Sequence, residues 1–149
     1  MVGLLWKIEN EGVSPKPSTF NFLSFTFYCS YSYNTKVFVV KVKTDNNKLR
    51  LKIRNINDWI KGARTLDIKD IIKVLNLKLE GHYRYYGVTY NFNGIRKYYY
   101  NTLKLLYKWL NRRSQRRSFT LEQFYYKLNT EWFIKQPILY INLLNYEYS

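Results

Sequence analysis

Residues 67–87, DIKDIIKVLNLKLEGHYRYYG, decide the fold. Ile68, Ile71, Ile72, Leu75 and Leu79 recur at intervals of three and four, the period of a helix with one apolar stripe. Asp67 stands immediately before the first of them and predicts an N-cap, and Asp70 places a carboxylate in the electropositive first turn. Gly81 interrupts the pattern, and a continuation through Tyr86 is left open. Gly87 and the Asn91–Gly94 cluster predict a loop.

Upstream, Leu49, Ile53, Ile56 and Ile60 predict another helix, with Thr44 or Asp45 as its cap and Gly62 as its end. Before it the period changes from helical to strand-like. Phe20 to Ser32 is dense in Phe, Tyr and Thr. Lys36 to Thr44 alternates Val37 and Val39 with Phe38, Val40 and Val42. Tyr33-Asn34-Thr35 between the two runs predicts a turn, hence a hairpin. Met1–Ser18, punctuated by Gly12, Pro15 and Pro17, is an irregular lead-in. Downstream, a third helix is expected over Ile95–Arg113, with Tyr99, Thr102, Leu106 and Trp109 on one face. Thr120 with Gln123 is a capping box for a short helix, Leu121–Leu128. Pro137 breaks the pattern before the apolar run 138–144. The fold class is α+β: a β-hairpin over 19–44, then a mainly α-helical body over 45–149.

The chain has 149 residues, enough to bury a core without crosslinks. Its 25 Lys and Arg against 10 Asp and Glu give a formal charge of +15, well beyond the 2–8 or so that solubility asks of a small domain. Such an excess suits a polyanion. The lone Cys29 excludes an internal disulfide and reads as a small buried hydrophobe. No apolar run approaches the ~20 residues that span a bilayer, so no membrane partner is expected. MVGLLWKIENEG acquires acidic residues too early for a signal peptide, which predicts a cytoplasmic, bacterial-type chain, with an organellar origin left open.

The charge is concentrated. Between Glu80 and Glu122 there is no acidic residue, while Arg84, Arg96, Lys97, Lys104, Lys108, Arg112, Arg113, Arg116 and Arg117 interleave with aromatics. Cations hold phosphates by charge and forked hydrogen bonds, and aromatic rings stack on unpaired bases, which irregular RNA offers more often than duplex DNA. Lys104, Lys108 and Arg112 follow at one-turn intervals and line one helix face. The run 111–118, NRRSQRRS, carries four guanidinium groups in six positions, where a merely solvated face would mix signs. Trp109 and Tyr99 read as core. Tyr83, Tyr85 and Tyr86 stay open between packing and RNA contact.

Leu75-Asn76-Leu77-Lys78-Leu79-Glu80-Gly81-His82-Tyr83-Arg84-Tyr85-Tyr86-Gly87 resembles the maturase-specific domain of group II intron-encoded reverse transcriptases, which carries an L-N-x-x-L-x-G-[W/H]-x-x-Y-Y-G pattern. Lys108–Arg117, KWLNRRSQRR, is similar to the basic helix end of bacterial members. Thr19–Phe27, TFNFLSFTF, resembles the F-x-F-L-G-F strand that closes their polymerase palm. The similarity runs collinearly from about Thr19 to Leu144. It implies the last palm strands followed by a thumb, or X, domain of three main helices that binds intron RNA and stabilises its active fold, while the RNA performs the splicing. Two positions depart from the family: Ser24 stands where glycine is usual, and Lys61–Thr65 lacks the fuller basic cluster. Everything upstream of the last palm strands is missing relative to the family.

The expected RNA contacts are Arg64, Asn76, His82, Arg84, Tyr85, Tyr86, Lys104, Lys108, Arg112, Arg113, Arg116 and Arg117. The chain is expected not to be an enzyme by itself and to need no cofactor. It has no Asp-Asp pair for a two-metal polymerase centre. His82 and Cys29 are its only His and Cys, too few for a metal site or a separate nucleophile and base. Two alternatives stand beside the RNA-binding maturase. One is a remnant or split subunit of a reverse transcriptase, completed by a separate palm fragment or self-associating through exposed strands. The other is a DNA-binding module.

Overall fold

The structure, a computed structural model, describes residues 19–113 and 118–142. The lead-in expected over 1–18 lies outside them. Strands β1 (Phe20–Phe22), β2 (Phe25–Tyr31) and β3 (Phe38–Thr44) form an antiparallel sheet in that order, and helices follow, so the α+β class holds.

The expected hairpin is the β2–β3 pair, with Tyr31 opposite Phe38 and Phe25 opposite Thr44. Its connection closes through Ser32 N donating to Val37 O at 2.7 Å. The run read as one strand, Phe20–Ser32, is instead two strands folded at Leu23-Ser24. Both turn residues have positive φ, 49° and 70°, and Phe22 faces Phe25 across a two-residue turn. That is the type I′ pattern, which Gly and Asn favour and Leu does not, so the local residues gave no signal. Tertiary contacts hold the turn instead. The Tyr85 hydroxyl donates to Leu23 O at 2.9 Å, Asp45 N donates to Ser24 O at 2.9 Å, and the Phe25 ring lies 5.8 Å from Tyr85 and 5.3 Å from Tyr86.

Helix α1 (Asn46–Ala63) is capped by Asp45, whose carboxylate accepts from Lys48 N at 3.0 Å. It passes through Gly62 and ends one residue later than expected. Helix α2 (Ile68–Tyr86) is capped by Asp67 as expected, and it continues unbroken through Gly81. Gly87 follows its last residue, and glycine is required there for a steric reason. A Cβ there would lie 2.8 Å from Ile138 O and 3.3 Å from Tyr140 N, because Gly87 O accepts from both Tyr140 N and Ile141 N.

Helix α3 (Phe92–Leu110) begins three residues before its expected start, so the Asn91–Gly94 cluster is a helix entry and not a loop. The cause lies in Asn91, only 1% exposed. Its side chain accepts from Thr44 N at 2.7 Å and donates to Thr44 Oγ1 at 2.8 Å and to Tyr86 O at 2.7 Å. One buried amide therefore joins the end of β3, the end of α2 and the start of α3, and Asn91 O accepts from Gly94 N and Ile95 N to open the helix. Helix α3 stops at Leu110, and Arg112 and Arg113 fall in the turn after it. Helix α4 (Leu121–Lys127) has both halves of the capping box. A π-helical turn, Leu128–Trp132, extends it to Phe133 at φ 44°.

The core fills the space between α1, α2 and α3. Ile60, Leu75, Leu79, Ile95, Leu106 and Leu110 have no exposed surface, and burial of each contributes about 1.5–3 kcal/mol. Tyr83, Tyr98, Tyr99 and Trp109 join them, so much of the tyrosine content is structural. Among the described residues, no helix is long and apolar enough to cross a membrane.

Candidate nucleic-acid interface

Trp109 sits near the end of α3 with its ring edge in the core and its indole N–H donating to Asn57 of α1 at 2.9 Å. Four cations surround that ring. Lys61 and Arg64 reach it from the end of α1, at 5.7 and 5.5 Å from the centroid. Lys108 and Arg112 reach it from the end of α3, at 4.9 and 5.4 Å. Two forces draw them there. The ring quadrupole attracts each by about 0.5–1 kcal/mol, and two helix C-termini present the negative ends of their dipoles. Either force accounts for one or two cations; four in one place repel one another.

None of the four is ion-paired with a carboxylate among the described residues, although Asp58 accepts from Asn57 beside the ring. The ion pairs among those residues are Arg84–Glu80, Lys135–Glu80 and Lys127–Glu131, all elsewhere. Arg113 extends the cluster toward the α1–α2 connection, donating to Leu66 O at 2.7 Å. The result is a positive surface with an aromatic centre, built from two helix ends.

The expected row along α3 divides. Lys108 and Arg112 converge on Trp109. Lys104 belongs to a neighbouring shallow patch with Arg96, Lys97 and Tyr100, where the Arg96 guanidinium lies 5.6 Å from the Tyr100 ring. Arg116 and Arg117 lie outside the described residues. Arg64, in a stretch whose basic content is thin for the family, nevertheless enters the cluster together with Lys61. Sequence reading missed Lys61, although its spacing of three from Arg64 on one helix end was visible.

The other expected contacts have structural engagements. Asn76 accepts from Lys135 N at 2.9 Å and donates to Phe133 O, pinning the segment after the π-helical turn onto α2. Arg84 is exposed but forks onto Glu80 at 2.8 and 3.2 Å, and its guanidinium lies 5.1 Å from the Tyr140 ring. The same Glu80 also receives Lys135, and these two cations hold its carboxyl below the usual range. Tyr86 is 3% exposed and packs as core. Tyr85 is half exposed, with its hydroxyl fixed on Leu23.

His82 is buried, with its ring 3.7 Å from that of Tyr98 and nearly parallel to it, and 4.6 Å from Tyr86. Burial, and then the charge of Lys52, pushes its pKa down to about 3, so the imidazole is neutral at ordinary pH. It is a stacking group and not a phosphate ligand.

Comparison with protein-family models, with curated proteins and with solved structures returned no match to this chain.

Proposed function

We propose that this chain is an RNA-binding domain of the group II intron maturase kind, which grips structured intron RNA and assists its splicing without supplying catalytic groups itself. The observation that carries the RNA-binding half is the convergence of Lys61, Arg64, Lys108 and Arg112 on Trp109 with no carboxylate paired to any of them among the described residues. Phosphates would relieve the mutual repulsion of the four cations, and counterion release would drive association. The maturase half rests on the resemblance of residues 75–87 and 108–117 to that family.

The test is a titration of the full chain against a structured group II intron RNA, single-stranded DNA and duplex DNA at one salt concentration, with splicing of that intron followed at low Mg²⁺. Preference for the RNA and faster splicing in the protein's presence are expected. Equal or tighter binding to duplex DNA would overturn the reading in favour of a DNA-binding module. Primer extension on co-expression with a separate palm fragment would replace it with a split reverse transcriptase.

A further inference from the structure

A second basic site lies on the other side of α1. The stripe that α1 buries is Leu49, Ile56, Ile60 and Ala63. At 100° per residue, Lys61 and Arg64 flank that stripe on one side, while Lys48, Lys52 and Asn55 flank it on the other. There α1, α2 and the β1–β2 turn enclose a groove of about 660 Å³. Lys48 and Lys52, one helical turn apart, and Lys78 of α2 are exposed along it, and none of the lining residues is acidic. Tyr85 supplies its exposed aromatic wall, with the largely buried His82, Tyr86 and Tyr98 bordering it.

Two details distinguish this groove from an ordinary gap between helices. The first is Gly81. It stands inside α2, where glycine is less favourable than alanine. A Cβ there would meet no atom within 4 Å, and its φ is not one that side chains avoid. Neither packing nor backbone geometry requires a glycine; the missing side chain leaves the groove wall open. The second is His82, whose Nε2 is buried without a hydrogen-bond partner, so the lining has unmet polar capacity.

From this juxtaposition we infer that the groove receives one unpaired nucleotide of a bound RNA strand, its base against the aromatic lining and its flanking phosphates on Lys48, Lys52 and Lys78. Tyr85 is positioned for such a role. It is half exposed, and its orientation is fixed by the hydrogen bond to Leu23 and the stack on Phe25, so little order remains to be imposed on binding. Stacking of a single base on an aromatic side chain strengthens binding by about tenfold or more, and a groove of this size is ample for one nucleotide. The inference rests on the RNA-binding reading but uses a different face of α1 from the Trp109 cluster.

The test uses the full chain and a single-stranded RNA dodecamer carrying one 4-thiouridine, with photo-crosslinked peptides mapped by mass spectrometry. Wild-type protein is expected to crosslink within residues 78–86. Gly81→Leu fills the groove and removes a helix-interior glycine. It is expected to hold or raise Tm, abolish that crosslink and weaken dodecamer binding about tenfold. Lys48→Ala/Lys52→Ala/Lys78→Ala should reduce the same crosslink. If the dodecamer binds but crosslinks only near Trp109, or if Gly81→Leu leaves affinity and crosslink unchanged, the groove assignment falls and the RNA-binding reading survives. If neither the dodecamer nor structured RNA binds, both fall. Adenosine monophosphate binding as tightly as the dodecamer would replace the RNA strand with a free nucleotide.

Discussion

Asn91 and His82 are two buried polar residues with opposite accounts of their hydrogen bonds. The Asn91 amide is satisfied by partners from two elements, and Asn91→Ala would strand Thr44 N and Thr44 Oγ1 in the interior, while Tyr86 O keeps Val88 N. A loss of about 2–4 kcal/mol in denaturant unfolding at pH 7 is expected from two buried groups left unpaired. A loss below 0.5 kcal/mol would show that the junction does not depend on this amide. His82 has an unpaired Nε2 and a pKa lowered to about 3 by burial, against 6.5 for the unperturbed group. The unfolded chain therefore binds a proton near pH 6.5 that the folded chain refuses until about pH 3. Stability is full above pH 6.5 and declines as pH falls toward 3, with a slope approaching 1.4 kcal/mol per pH unit from this group. Between pH 6.5 and 5 most carboxylates stay ionised, so wild type should lose about 1–2 kcal/mol there and His82→Phe should lose little. Equal pH dependence in both proteins would contradict the burial account of His82.

The elements differ in how far local sequence determines them. Helices α1, α2 and α4 begin at Asp45, Asp67 and Thr120, where a side-chain oxygen accepts a backbone N–H, and that chemistry is legible in three or four residues. The start of α3 and the turn between β1 and β2 are not legible, because distant partners fix them: Thr44 and Tyr86 for Asn91, Tyr85 and Asp45 for Leu23-Ser24. The turn leads to a prediction at this scale. Two non-glycine residues at φ 49° and 70° carry steric cost that a type I′ sequence would relieve. The Tyr85 and Asp45 contacts to the turn use backbone carbonyls, which substitution leaves in place, while the Ser24 side chain also bonds Tyr86 and is best kept. Leu23→Asn should therefore stabilise the protein by about 0.5–1 kcal/mol, read as a raised denaturation midpoint. A fall of that size would mean that the Leu23 side chain contributes more than the turn geometry costs. The candidate interface divides in the same way. Lys108 and Arg112 stand out by charge alone, whereas the approach of Lys61 and Arg64 to the same ring requires the α1–α3 packing.

At the scale of the molecule, the helical core converts a diffuse formal charge of +15 into placed charge. Two helix ends focus four cations on Trp109, and the opposite flank of α1 together with Lys78 of α2 sets three lysines along an aromatic groove. The central claim is that the Trp109 cluster holds RNA phosphates. It is tested most directly by the salt dependence of binding to a structured intron RNA, wild type against Lys61→Ala/Lys108→Ala/Arg112→Ala. These side chains are exposed and support no hydrogen bond to the core, so the variant should fold as wild type does. The slope of log K against log salt should become shallower by about 2–3, and affinity at moderate salt should fall at least tenfold. An unchanged slope and affinity would contradict the claim.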